Sequence, residues 1–170
     1  MPSESFPPIA AEGARVLILG SLPGTRSLAE QQYYAQPQNA FWKIMGELFG
    51  AGPDLPYATR TERLSASGIA LWDVIASAER PGSLDSSIVN TSVVVNDFAA
   101  LFLRCPDIGV VFFNGAKAAE LFERRVRPSL GDKLNNLRFE RLPSTSPAHA
   151  AMLYEDKLLR WQAVKREIEA

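Results

Sequence analysis

Four short apolar runs, each closed by a turn-forming or polar residue, constrain this chain more than any other feature. Val16-Leu17-Ile18-Leu19 stops at Gly20, and Gly68-Ile69-Ala70-Leu71-Trp72 stops at Asp73. Ile108-Gly109-Val110-Val111-Phe112-Phe113 stops at Asn114, and Leu137-Arg138-Phe139-Glu140-Arg141-Leu142 stops at Pro143. The first three are apolar at consecutive positions, as strands covered on both faces must be, whereas a half-exposed strand would interleave polar residues. The fourth alternates and belongs at an edge or under partial cover. Strands of this kind separated by helices predict an α/β fold: a three-layer α/β/α sandwich around a central four-stranded parallel sheet with right-handed crossovers.

The intervening segments carry helical signals. Ala40–Phe49 spaces Phe41, Ile44, Met45 and Leu48 at helical intervals, and Pro56–Ser67 reads as a second helix ended by Gly68. Asn96 is a candidate cap for a helix through Arg104, and Gly115–Val126 predicts another before Pro128. A last helix is expected from Pro147, capped by Ser146, with Leu158, Trp161, Val164, Lys165 and Ile168 along one stripe. Residues 1–12 read as a loose leader and residues 13–170 as one domain, since 170 residues support a single sizeable core.

Composition excludes several classes. One cysteine, Cys105, and one histidine, His149, leave no disulfide framework and no spacing for a metal site or cluster, so no metal or cofactor is expected. No apolar run approaches the roughly 20 residues that cross a bilayer, and the N-terminus lacks the basic start and apolar middle of a signal peptide. A cytoplasmic location and a monomer are expected. The net charge of −1 offers no global attraction to nucleic acid, but basic residues concentrate in the second half. Residues 86–170 hold 12 Lys/Arg against 10 Asp/Glu, while residues 1–85 hold 6 against 9.

In a parallel sheet, ligands gather beyond the carboxyl ends of the strands. Here those ends are Gly20-Ser21-Leu22-Pro23-Gly24, Asp73-Val74, Asn114-Gly115 and Pro143-Ser144-Thr145-Ser146-Pro147, where Gly, Pro, Asn and Ser cluster. The first turn is neither a phosphate-binding P-loop, since no Gly-Lys-Ser/Thr follows, nor a full dinucleotide Gly-x-Gly-x-x-Gly. Tyr33-Tyr34-Ala35-Gln36-Pro37-Gln38-Asn39-Ala40-Phe41-Trp42 sets two tyrosines in a polar loop, a surface suited to stacking a nucleobase, with Asn39 where a helix cap belongs.

Taken in order, these segments resemble the uracil-DNA glycosylase superfamily. The Gly20–Gly24 turn and Pro37-Gln38-Asn39-Ala40-Phe41-Trp42 are similar to the mismatch-specific uracil/thymine enzymes. Leu71-Trp72-Asp73-Val74, Gly82-Ser83-Leu84-Asp85, Phe113-Asn114-Gly115 and Leu142–Ala148 resemble the hypoxanthine-DNA glycosylase branch. The main uracil enzymes keep an acid, and the mismatch enzymes an amide, inside the first turn, where this chain has Ser21 and Leu22. The resemblance therefore implies Asn39 as the catalytic residue, holding the attacking water. It implies a base pocket of Ser21, Leu22, Tyr34, Asp73 and Asn114. DNA contacts would come from Pro23, Gly24, Ser144, Thr145, Ser146 and His149.

The implied activity is removal of a deaminated base, hypoxanthine first, from DNA in base excision repair. The partner is DNA carrying such a base, extruded into a pocket because chemistry within the duplex is out of reach. An Asn amide is no base at neutral pH, but an oxocarbenium-like sugar needs only an oriented water. Donors aimed at the departing base supply the rest. The matching motifs contain no lysine, which implies a monofunctional enzyme. A uracil or mismatch glycosylase, and a catalytically silent domain that binds damaged DNA, are the competing readings.

Overall fold

The computed structural model describes residues 2–170. Its strands are β1 (Ser3–Glu4), β2 (Val16–Gly20), β3 (Ile69–Asp73), β4 (Ile75–Ala78), β5 (Val94–Val95), β6 (Val110–Asn114) and β7 (Arg138–Leu142). All four apolar runs form strands, and these make one parallel sheet in the order β3-β2-β6-β7. Every residue of β2, β3 and β6 is buried. The alternating run, β7, lies at the edge with most of its residues outside the core.

Side chains of successive residues leave the sheet on opposite faces, so each central strand feeds two cores. On one face Leu17, Leu19, Trp72, Val111 and Phe113 pack with Phe98, Phe102 and Phe122. On the other, Val16, Ile18, Leu71 and Phe112 pack with Phe41, Met45, Leu64 and Trp161. The helices supplying these layers are α1 (Thr25–Glu30), α2 (Phe41–Phe49), α3 (Tyr57–Ala66), α4 (Phe98–Arg104), α5 (Ala116–Leu121), α6 (Arg127–Leu130) and α7 (Tyr154–Glu169). Register sets Gly20 level with Asp73, and Asn114 level with Leu142, so the strand ends finish on one edge.

Several boundaries differ from expectation. The leader is tied down: β1 pairs with β4 in a small antiparallel sheet β1-β4-β5, and Ile9 bridges to Leu71 on the outer side of β3. Tyr33 donates its hydroxyl to Pro7 O (2.9 Å) and the Trp72 indole donates to Phe6 O (2.9 Å). Its prolines and polar residues carry no periodicity, so only distant partners order it. Met1, also part of the expected leader, lies outside the described residues.

The last helix begins at Tyr154, not Pro147. Ser144 and Ser146 hydroxyls instead accept the amides of Ser146 (3.1 Å) and Ala148 (3.2 Å), bending the chain into a loop. Asp97, not Asn96, caps α4 through Ala100 N, while Asn96 donates to Asp73 O (2.8 Å). The helix expected over Gly115–Val126 passes into a π turn at Phe122–Val126 and then α6, where Pro128 withholds an N–H from the ladder. Among the described residues no helix is long and apolar enough to cross a membrane.

Candidate active site

Beyond the strand ends lies an open cavity of about 970 Å³. All the residues named above for catalysis, base binding and DNA contact line it, from Ser21, Leu22, Pro23 and Gly24 through Tyr34, Asn39, Asp73 and Asn114 to Ser144, Thr145, Ser146 and His149. The parallel register makes this meeting possible, since residues about a hundred positions apart end on the same edge.

The first turn is held from behind. Val74 N donates to Gly20 O (2.8 Å) and Ile75 N to Ser21 O (3.1 Å). The buried Arg80 guanidinium donates to Leu22 O (3.3 Å) and to Pro23 O. Four consecutive carbonyls are thus engaged away from the cavity. Ser21 Oγ donates to Asp85 Oδ1 (2.6 Å), and Asp85 lies 4.0 Å from Arg80 in a loose ion pair.

At Gly20 the backbone runs directly beneath two side chains. A Cβ there would come within 2.6 Å of Asp73 Oδ1 and 2.8 Å of the Tyr34 hydroxyl, so any other residue would displace these buried groups. Tyr34 itself sits in the left-handed region at φ 55°, a conformation that costs a non-glycine residue about 1–3 kcal/mol. One face of its ring is stacked on Phe41 at 4.1 Å. Its hydroxyl and Asp73 Oδ2 are both sealed from solvent without a hydrogen-bond partner. Burial, then the neighbouring Asp73, pushes the Tyr34 phenol upward. Burial, then Asp85, raises the Asp73 carboxyl to about 7, with Arg80 opposing.

Asn39 stands at the lip. Its Oδ1 accepts the Phe41 amide (3.0 Å), fixing the carboxamide at the start of α2 and leaving a second lone pair and the NH2 group. Ala40 N donates to Thr145 O (2.9 Å), which couples this loop to the final one. Asn114 is committed more fully than the sequence suggested. Its Oδ1 accepts Thr145 N and its Nδ2 donates to Thr145 Oγ1, both at 2.9 Å, leaving one N–H and one lone pair. The final loop is further held by the Trp161 indole on Pro143 O (2.9 Å) and by Lys157 Nζ on Ser146 O (3.4 Å).

A second cavity of about 580 Å³ lies on the other side of Asn39 and shares Tyr34, Gln36, Asn39, Thr145 and Pro147 with the first. Lys43, Arg60 and Lys157 line it and no carboxylate does. Lys43 sits 4.1 Å over the Tyr154 ring and Arg60 lies 4.7 Å over Trp42, so aromatic faces position both cations. Among the described residues no three His, Cys, Asp or Glu side chains gather where they could hold a metal ion.

The family model for the Uracil DNA glycosylase superfamily matches residues 7–166. The chain belongs to that superfamily. A Methanosarcina barkeri protein named hypoxanthine DNA glycosylase is 38% identical over 121 residues, covering 71% of this chain and 75% of the relative. A protein of the same name from Methanosarcina acetivorans is 37% identical over 138 residues, covering 76% and 86%. A solution NMR structure from Methanosarcina acetivorans, described there provisionally as a uracil DNA glycosylase, matches with a TM-score of 0.81. It is 34% identical and each chain is fully covered.

For this superfamily member, sequence reasoning missed Arg80 and Asp85 as the supports of the first turn, and Lys43, Arg60 and Lys157 beside Asn39. Arg80 had a signal, an arginine closing the semi-apolar run Ile75–Ala78 just before Pro81-Gly82. The three cations had none, because they come from three different helices. Lys117 also reaches the rim of the main cavity, where its ammonium donates to Asn90 Oδ1 (2.8 Å).

Proposed function

We propose that this chain is a monofunctional DNA glycosylase that hydrolyses the N-glycosidic bond of an extruded deaminated base, hypoxanthine above all. The observation that carries the reading is the Asn39 carboxamide, pinned at the lip of a cavity whose wall holds Tyr34, Asp73 and Asn114. Two relatives bearing the hypoxanthine name support that base over uracil. So does Leu22, a residue unable to activate water, where the resemblance placed an acid or amide. The sugar would sit against Asn39, whose remaining lone pair orients the water toward C1′. The amide edge of the Ser21–Leu22 turn would face the charge growing on the departing base, since the turn's carbonyls are engaged elsewhere. Action as a monomer in the cytoplasm belongs to the same proposal.

The test is an oligonucleotide panel with inosine, uracil, xanthine or mismatched thymine, single- and double-stranded, with alkali to reveal abasic sites. Preferential release of hypoxanthine, with no borohydride-trapped adduct, is the expected result. Release of uracil alone would favour a uracil or mismatch glycosylase, and binding without release would leave a silent domain.

Tyr34 offers its uncovered face to the base, since Phe41 covers the other. Tyr34→Ala is expected to lower turnover on inosine roughly tenfold or more, the worth of one stacked base, with little change in affinity for undamaged duplex. An equal collapse of both would make Tyr34 a packing residue. Lys43, exposed at the carboxylate-free cavity, is assigned to a backbone phosphate beside the extruded nucleotide. Lys43→Ala is expected to reduce the slope of log affinity against log salt by about 1; an unchanged slope would remove that contact.

A further inference from the structure

The most buried carboxyl of the base cavity is Asp73, 3% exposed at the end of β3. Its Oδ2 has no hydrogen-bond partner, and its Oδ1 shares the space above Gly20 with the Tyr34 hydroxyl. The surrounding groups do not favour a carboxylate. Arg80 directs its terminal nitrogens to Leu22 O and Pro23 O and its ion pair to Asp85, so it screens Asp73 without pairing with it. Asp85 repels a negative charge there, and the phenols of Tyr33, Tyr34 and Tyr57, each raised by burial, stay neutral. The remaining charged or titratable groups, Arg26, Lys117, Glu120 and His149, line the open cavity.

We infer, resting on the glycosylase reading, that Asp73 acts with its carboxyl protonated and recognises the lactam edge of a deaminated base. The acid O–H donates to the base carbonyl, and the other carboxyl oxygen accepts from the adjacent ring N–H. A neutral carboxylic acid presents the donor–acceptor pair of a carboxamide, whereas a carboxylate would face the base carbonyl with two acceptors. Deamination turns an amidine edge into this lactam, the edge the pair engages. As the C1′–N9 bond breaks and its electron pair moves onto the purine, charge grows on that carbonyl oxygen and the same O–H bond strengthens. The proton stays on Asp73, while the water held by Asn39 adds to C1′ and the proton it releases balances the charge of the departing purine. Burial without a cation bonded to it keeps the acid neutral here, since Arg80, engaged with Leu22 O, Pro23 O and Asp85, opposes this only through space.

The experiment compares wild type, Asp73→Ala and Asp73→Asn on double-stranded inosine substrate across pH, alongside a ¹³C-NMR titration of the Asp73 carboxyl without DNA. The acid is active only when protonated, so wild-type kcat/KM is expected to fall above the carboxyl's value near 7, by roughly thirtyfold at pH 8.5. Asp73→Ala is expected to lie roughly a hundredfold below wild type on the low-pH plateau and to show no fall through pH 7, so that the gap narrows to about threefold at pH 8.5. Asp73→Asn is expected to recover most of that loss and to lack the limb near pH 7, leaving only the titration of the base's own N–H at higher pH. A free carboxyl that titrates in the ordinary range near 3.9 would overturn the inference even if hypoxanthine is released. Asp73→Asn as poor as Asp73→Ala, or a wild-type profile flat through pH 7, would also overturn it. If no base in the panel is released, the glycosylase reading fails first, and the ¹³C titration still shows whether the carboxyl is protonated at neutral pH. Folding supplies a second readout. A carboxyl raised in the folded state stabilises the protein below its unfolded value, and that contribution is lost as pH rises through 7. Asp73→Asn is therefore expected to melt higher than wild type at pH 8, by a margin that shrinks as the pH is lowered toward 4, and the reverse order would count against the inference.

Discussion

Asn39→Ala is expected to lower hypoxanthine release by at least about two orders of magnitude at a temperature where the variant remains folded. The argument rests on what the side chain can still do in the structure. One lone pair of Oδ1 is taken by the Phe41 amide, which fixes the direction of the carboxamide. The rest of the group remains at the cavity lip, next to the loop that Ala40 N ties to Thr145. Alanine removes the water-holding oxygen without disturbing Tyr34 or Asp73, so base binding should survive while hydrolysis does not. Ala40, not Asn39, is the N-cap of α2, but losing the Asn39–Phe41 hydrogen bond still costs about 1 kcal/mol of stability, so single-turnover rates are read together with a melting curve. A variant that binds inosine DNA and cleaves it as fast as wild type would end the assignment of Asn39.

Trp161→Ala is expected to destabilise the fold by about 3–5 kcal/mol, the usual cost of emptying a large aromatic site. In a chain of this length that is roughly a 10 °C fall in melting temperature. Trp161 is fully buried, meets Phe41 edge-on at 6.0 Å and donates its indole N–H to Pro143 O. One side chain thus joins α7 to the helix behind Asn39 and to the base of the final loop. Trp161→Phe keeps most of the buried surface but drops the hydrogen bond. Its smaller stability loss, with a disproportionate loss of activity, would show that the loop tie matters beyond packing. A denaturant midpoint close to wild type for the alanine variant would refute this placement.

Much of the site was legible because it sits at strand ends. The apolar runs mark the strands, and the residue that stops each run, Gly20, Asp73, Asn114 or Pro143, lies at or next to the edge where a parallel sheet binds its ligands. Asn39 and Tyr34 were legible as a local motif whose geometry is set within ten residues. The misplacements share a cause as well. Pro147 was read as the start of the last helix because Ser-Pro is a common helix entry, but two serine hydroxyls capture the amides first. Residues 1–12 read as a loose leader because they lack periodicity, yet for the described part, 2–12, β4, Leu71, Tyr33 and Trp72 supply partners that no local pattern announces.

What the sequence by itself determined is the parallel α/β architecture, the binding edge and the identity of the groups on it, since these follow from consecutive apolar positions and from the residues that interrupt them. Tertiary structure alone decided the state of those groups. It sealed one Asp73 oxygen without a partner, spent most of Asn114 on Thr145, placed Arg80 behind the first turn and gathered three cations beside Asn39. The physical reason is that burial, pairing and electric field depend on neighbours distant in the chain, whereas strand and turn signals are written within a few residues of one another.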